Sequence, residues 1–460
     1  MTQLNGAREI DWRSPADAFA PIAGRKNAVL LHPGARAAAP GWSFIAAFPE
    51  TVIEYRNGST RVGGASSGVS PFEAARALHK ERRRSENGAV NAPFATGLVG
   101  YVGYECAVLA EPCVELPASP YDLPDFSLGV YDACALFDHS CRRAYIAYRS
   151  RRAADRLEEA LGRCAPERAP APFAFGAPHA STPRDRYRRA VAEAIERIRG
   201  GEFFQANLSH RIESIACAPF NAFDLFIAAS RLSSAEYGAF VQLGTGQILS
   251  LSPERFFSVR TTEGERRAIA AEPIKGTRPR GDTQDTDRRL LEELINDPKD
   301  RAENIMIADL TRNDLSRICA DCSIEDTSIC EPVSHEGVHH LVSRISGVLR
   351  PENGAIDALE ALFPCGSITG APKVQAMKAI AELEGAGRGP YCGAIGYIDD
   401  RGGADFSVAI RIAVVQENTI VIPVGGGVTL RSDPEKEYQE TLTKARGWLA
   451  ATGTGDMAIA

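Results

Sequence analysis

"FSVAIRIAVVQENTIVIPVGGGVTLRSDPEKEYQETLTKARGWLA", residues 406–450, holds two apolar runs of strand character, three consecutive glycines and then a helical pattern. Ser432 or Asp433 can cap that helix by accepting from its first free N–H groups, and Pro434 suits its first turn. The same alternation extends upstream. "FVQLG", "QILSLSPERFFSVR" and "AIGYID" read as strands, and "DRRLLEELINDPKDRAENIMIADLTRNDL" and "APKVQAMKAIAELE" as helices. No period of 20 to 50 residues runs through the chain, which excludes a solenoid. Sheets with helices grouped around them, an α+β (mixed α/β) body, fit this order.

The first third mixes short alternating runs ("NAVLLHPG", "WSFIAAFP") with turn clusters ("NGST", "VGGASSG"), the mark of antiparallel strands. Its clearest helix is "SPFEAARALHKERRRSE", with Ser70 as cap, Pro71 at the first position and Ala74, Ala75 and Leu78 at helical spacing. The basic run at its end reads as a solvated helix terminus before it reads as a nucleic-acid patch. A Pro/Ala-rich stretch over residues 166–183 has no period and is expected to be a linker between residues 1–165 and 184–450. Directly after it a helix is expected, capped by Thr182 with Pro183 at its first position.

With 44% apolar and 24% charged residues, the 460-residue chain has globular proportions and can bury a large core. Its net charge of −7 argues against general nucleic-acid binding, so any anionic ligand must meet a local basic site. The 11 cysteines are odd in number and sparse, and Cys319, Cys322 and Cys330 do not complete a zinc set, so reduced structural thiols are expected. No apolar leader opens the chain and no stretch approaches the ~20 apolar residues of a membrane span, which leads us to expect a cytoplasmic protein.

Two carboxylate pairs, Asp300 with Glu303 and Glu437 with Glu440, have the i, i+3 spacing that puts both side chains on one helix face. If the two faces converge, they suit a hard cation such as Mg²⁺; surface helices also carry such pairs routinely. Gly425, Gly426 and Gly427 let backbone N–H groups approach an anion or simply make a tight turn. "FPCGSITGAPKVQAM" sets Ser367 and Thr369 ahead of a helix start in the same way. Neighbouring His339 and His340 should face opposite ways on a strand. Arg411, in an otherwise apolar strand, implies a buried anion.

"SPERF", "PIKGT", "DRAENIMIADLTRNDL", "VHHLVS", "GSITGAPK", "YCGAIGY", "AIRIA", "GGGV" and "SDPEKEYQET" together, in this order, resemble the chorismate-using enzymes. That family includes anthranilate synthase component I, the isochorismate and salicylate synthases and aminodeoxychorismate synthase component I. The resemblance implies a large sandwich of antiparallel sheets flanked by helices, with residues 184–450 as the chorismate-binding catalytic domain. In "PIKGT", Lys275 stands where anthranilate, isochorismate and salicylate synthases carry alanine; lysine there marks the aminodeoxychorismate synthases. Gln205 stands where the water-adding relatives place a base lysine.

The resemblance therefore implies that Lys275 adds covalently to the ring at C2 while Glu254 protonates the departing C4 oxygen, after which ammonia takes C4. It implies Mg²⁺ held by Glu303 and Glu440, with Asp300 and Glu437 acting through its waters. Tyr391, Arg411, Lys444 and the N–H groups around Gly425, Gly426 and Gly427 would hold the substrate carboxylates. Thr277 and His340 would line the ring, and Ser367 and Thr369 would shape its floor. Cys365 replaces a usual glycine, Asp300 stands where a glutamate is common, and Pro33 lies where some relatives place a serine lining a tryptophan pocket. No glutaminase nucleophile elbow occurs in the sequence, so ammonia is expected from a separate glutamine amidotransferase subunit. The expected activity is formation of 4-amino-4-deoxychorismate for 4-aminobenzoate and folate synthesis. An anthranilate synthase large component and a catalytically silent ligand-binding subunit are the alternatives.

Overall fold

The computed structural model describes residues 6–37, 41–83, 90–163, 173–261, 266–335, 337–455 and 457–459. Two twelve-stranded sheets, with antiparallel pairings, make up its centre. The first runs from Gly6–Ile10 through Arg143–Tyr148, Ala133–Asp138, Trp42–Ala46, Val29–Leu31, Tyr237–Leu243, Gly246–Ser252, Ile412–Gln416, Thr419–Thr429 and Gln205–Ile215 to His179–Ala180. Gly370–Ala371 pairs with the start of Gln205–Ile215. The second runs from Ile274–Pro279 through Val338–Val348, Arg267–Ala271, Arg255–Thr261, Ala404–Val408, Ala394–Asp399, Gly97–Val102, Phe126–Tyr131, Thr51–Arg56 and Ser59–Val62 to Ala65–Ser67. Both sheets thus take strands from either side of the Pro/Ala-rich stretch. Residues 164–172 of that stretch lie outside the described residues, and His179–Ala180 pairs with Gln205–Ile215.

Strand alternation sorts the apolar residues into layers. Val241, Leu243 and Ile248 of the first sheet join the core between the sheets, with Leu98, Leu128 and Phe406 of the second. Phe240 and Leu249, one residue over, face outward onto helices through Leu157, Phe226 and Trp448. Helices Arg184–Arg199 and Lys373–Glu384 cover the far end of the same sheet through Val191, Ala376 and Ile380.

Two long sequence runs break where single strands were expected. "QILSLSPERFFSVR" divides into Gly246–Ser252 in the first sheet and Arg255–Thr261 in the second. "FSVAIRIAVV" divides likewise, into Ala404–Val408 and Ile412–Gln416. Continuous apolarity hides the change of sheet, because each half is buried on both faces. The long acidic helix also divides: Asp297 closes Gln284–Asn296 and caps Pro298–Ser316 by accepting from the N–H groups of Lys299 and Asp300. The helix after the linker starts one residue later than expected, at Arg184, with Pro183 preceding it. Ser70 caps Pro71–Arg82 in a reciprocal pair with Glu73; residues 84–86 of that expected helix lie outside the described residues.

Phe44 of the first sheet stands with its ring centroid 5.5 Å from Phe94 and 5.5 Å from Tyr397 of the second sheet. Because this ring bridges the two layers, Phe44→Ala is expected to lower the unfolding free energy by about 3–5 kcal/mol, measured by urea titration; a loss under ~1 kcal/mol would mean that the layers are not held together there.

Candidate active site

The two strand crossings lie side by side. Val408 N donates to Glu254 O at 3.0 Å, and Leu251 N donates to Arg411 O at 3.1 Å, so a hydrogen-bonded pair of strands leaves one sheet for the other as a unit. Glu254 and Arg411 sit at this seam. Arg411, expected inside a strand, instead lies between two strands with φ of +53° and an exposed side chain. Protein packed around it pushes its guanidinium's pKa down against the opposing pull of Tyr391 and Glu440. Glu254 is buried, and burial lifts its carboxyl above the ordinary range although the Ser367 hydrogen bond and the Lys275 charge pull it back.

Lys275 is placed by a bulge. The register between Ile274–Pro279 and Val338–Val348 slips between Ile274 and Thr277, and Gly276 takes φ of +89° there, a conformation that suits glycine. The Lys275 Nζ donates to Ser367 O at 2.9 Å, and the hydroxyl of the same serine donates to Glu254 Oε1 at 2.6 Å. Ser367 therefore joins the amine to the acid, with Cys365 Sγ 3.3 Å from its hydroxyl. Behind the lysine, Asn304 Nδ2 donates to Lys275 O at 3.4 Å and to Leu341 O at 2.9 Å.

The three glycines run along Thr419–Thr429, opposite Ser209, Leu208 and Asn207. A Cβ on Gly427 would come within 2.8 Å of Gln205 Nε2 and 3.7 Å of Lys275 Nζ. On Gly425 it would meet Tyr391 Oη at 2.9 Å, and on Gly426 it would meet Glu437 Oε2 at 3.0 Å, Lys444 Nζ at 3.8 Å and Glu440 Oε1 at 3.9 Å. The bare strand is thus a hub: one face looks to Lys275, Gln205 and Tyr391, the other to the acidic helix. Gln205 is fully buried, and neither of its side-chain polar atoms has a hydrogen-bond partner within the protein.

Each of the four expected metal carboxylates has an internal partner. Arg278 Nη1 donates to Asp300 Oδ2 at 2.9 Å, Ser432 Oγ donates to Glu437 Oε1 at 2.6 Å, and Lys444 Nζ lies 2.7 Å from Glu440 Oε1. Glu303 is held most loosely: Lys299 Nζ is 3.8 Å from its Oε1, which is buried and accepts no hydrogen bond. Burial lifts Glu303, while for Glu440 the same upward push is outweighed by Lys444, Lys299 and Lys275, leaving it below the ordinary range. Among the described residues no three His, Cys, Asp or Glu side chains stand close enough to form a ready cage. Mg²⁺ does not need one, since it keeps several waters and takes one or two carboxylates. Glu303 with its orphaned oxygen and Glu440 with its exposed side chain fit that donor set.

Thr277 Oγ1 and His340 Nδ1 lie 3.0 Å apart, and burial, with His335 and Arg411 nearby, pushes His340 down to about 4, so its ring is neutral near pH 7. His339 faces the other way, buried against Ser334 and Asp287. Thr369 is buried and its hydroxyl donates to the carbonyls of Cys365 and Gly366, turning it towards its own loop. Lys444 Nζ donates to Gly425 O at 2.8 Å, and burial pushes its ammonium's pKa down despite Glu440.

The arrangement of amine, buried acid and bare strand coincides with a family match. Residues 32–450 match the chorismate binding enzyme family. The chain belongs to that family. Aminodeoxychorismate synthase component 1 of Klebsiella aerogenes is 33% identical over 446 residues, covering 95% of this chain and 96% of that protein. Anthranilate synthase component 1 of Methanothermobacter marburgensis is 35% identical over 414 residues, covering 89% and 86% respectively. The crystal structure of anthranilate synthase component I from Streptococcus pneumoniae superposes with a TM-score of 0.77 at 31% identity, over 90% of this chain and 92% of that one. Among the described residues no helix is long and apolar enough to cross a membrane.

For a chorismate-using enzyme the supports of the site matter as much as its reacting groups, and sequence reasoning missed several of them. Asn304, which grips the backbone of Lys275, is flagged only by its place beside Glu303. The Arg388 guanidinium binds Glu384 and the Ile368 carbonyl, while the backbone N–H groups of Arg388 and Gly389 donate to Glu105 Oε1 at 2.6 and 3.1 Å, fixing the loop that carries Tyr391. Gly427→Ala is expected to weaken chorismate binding at least about tenfold and to lower the melting temperature modestly, because the added methyl presses on the buried Gln205 and nears Lys275. Isothermal titration alongside a thermal melt checks both halves.

Proposed function

We propose that the chain is the chorismate-aminating component of an aminodeoxychorismate synthase. One observation carries this: Lys275 Nζ lies against Ser367 O, near Gly427 and beside the buried Glu254, so nucleophile and acid are joined through one residue. Chorismate is a dicarboxylate whose C4 hydroxyl must leave before nitrogen can enter. In the proposed first step the Lys275 amine bonds to C2, both ring double bonds shift by one position, and the C4–O bond breaks as Glu254 gives its proton to the departing oxygen, releasing water. Ammonia then attacks C4, both double bonds shift back, the C2–N bond to lysine breaks with its electron pair returning to the amine, and a proton from the new C4 ammonium restores Glu254. Splitting one displacement into two lets each half use a positioned group.

The carboxylates of the substrate require cations, and Arg411 and Lys444 supply them beside Tyr391. Mg²⁺, when held by Glu303 and Glu440, would bind the ring carboxylate and draw electron density from the reacting carbons. Gln205, where a base lysine would favour water, offers a neutral amide beside C2 and is consistent with amination over hydration. Ammonia is supplied in this reading by a separate glutamine amidotransferase subunit, and the product leads towards 4-aminobenzoate and folate. A relative named anthranilate synthase has similar identity, and the two readings differ in product: anthranilate formation also releases pyruvate.

Incubated with chorismate, Mg²⁺ and ammonium, the protein is expected to yield aminodeoxychorismate without pyruvate, and Lys275→Ala to cut the rate by at least about a hundredfold. Mass spectrometry of the products decides; anthranilate as the main product, or near-normal turnover of the variant, sinks the assignment. Ser367→Ala removes the hydrogen bond that favours ionised Glu254. Since Glu254 acts as an acid, activity is lost as pH rises through its pKa, and the variant's alkaline limb in a kcat/KM profile is expected to move to higher pH.

A further inference from the structure

In the acidic cluster the internal partners are unequal. Asp300, Glu437 and Glu440 each accept a hydrogen bond of 2.9 Å or shorter from Arg278, Ser432 and Lys444. Glu303 does not: Lys299 stands 3.8 Å away, beyond hydrogen-bonding distance, with a side chain 41% exposed. Lys299 is the cation paired with Glu303, at i, i+4 on the same helix, and Glu303 Oε1 is buried without a hydrogen bond. The Lys299 backbone is anchored, with its N–H donating to Asp297 Oδ1 at 2.8 Å, while its flexible stem leaves the ammonium free to swing outward.

We propose that Lys299 is the displaceable counter-cation of Glu303 in this cluster. Its ammonium stays in the neighbourhood of Glu303 while no divalent cation is bound, and it gives way when one binds. The inference rests on the metal reading above and adds a competitor to it. Burying Glu303 as a carboxylate costs free energy through lost hydration, and Arg278, Ser432 and Lys444 serve its neighbours rather than Glu303 itself, so a cation beside it offsets that cost before Mg²⁺ does. A residue that both bonded tightly and blocked Glu303 would exclude the metal. One that is mobile, weakly hydrogen-bonded and long enough to retreat protects the fold and yields the site.

Lys299→Gln keeps the stem and removes the charge; Lys299→Arg keeps the charge. In titrations of Mg²⁺ into the chelator-treated full chain without chorismate, Lys299→Gln is expected to bind roughly threefold to tenfold tighter than wild type, the discount for exposure being included. Lys299→Arg should bind as wild type does. In EDTA, Lys299→Gln should melt below wild type and gain more from added Mg²⁺. An unchanged or weaker affinity for Lys299→Gln, with circular dichroism showing an intact fold, overturns the inference and leaves the metal reading standing. If the wild-type chain binds no divalent cation, both fall.

Discussion

Everything at the site depends on a pair of hydrogen-bonded strands that changes sheets together. If Gly246–Ser252 and Ile412–Gln416 simply continued in the first sheet, Glu254 and Arg411 would be ordinary strand residues on unrelated faces. Because both strands turn at the same level, tied by Val408 N to Glu254 O and Leu251 N to Arg411 O, their turning points become neighbours. The second sheet then brings Lys275 on its edge strand, and the first brings Gly425, Gly426 and Gly427. A sandwich core holds this geometry rigid, since moving either turning point would disturb close-packed side chains on both sides.

Within that frame basic and acidic groups form two neighbouring clusters, the acidic one holding Arg278 and Lys299 beside its carboxylates. Arg411, Lys444 and Lys275 gather on the side that would face the substrate's carboxylates, and Asp300, Glu303, Glu437 and Glu440 gather at the starts of two helices. Glu440 and Lys444 join the halves, at i, i+4 on one helix. In the proposed reading, a substrate's carboxylates would meet the basic groups and a divalent cation the acidic ones.

How much of this was legible in the sequence differs by element. The glycine run, the Asp433-capped helix and its carboxylates, and the opposite facing of His339 and His340 follow from local periodicity and capping, and they stand where expected. The strand crossings did not show, because a strand buried on both faces keeps the same apolar text when it enters another sheet. Arg411 was the visible trace of one crossing, a charge that a continuous strand could not hold. The seam residue Glu254 and the double role of Ser367 depend on pairings 113 positions apart, which no local pattern encodes. Lys275 was singled out only by resemblance; the slip of register and the left-handed Gly276 explain afterwards why a glycine follows it.

The lysines of this region differ in what their amines meet. Lys373 Nζ is fixed 2.6 Å from Asp314 Oδ2 and Lys444 Nζ 2.7 Å from Glu440 Oε1, and each such pair is at its strongest when the amine carries its proton. Lys275 instead donates to the Ser367 carbonyl, a neutral acceptor. With one N–H committed there and the bulge at Gly276 placing its backbone, the direction of its amine is restricted. The same serine directs its hydroxyl to Glu254, which ties amine and acid together through one residue. In the proposed reaction, a carboxylate in place of that carbonyl would favour the ammonium and so oppose addition of the amine to the ring.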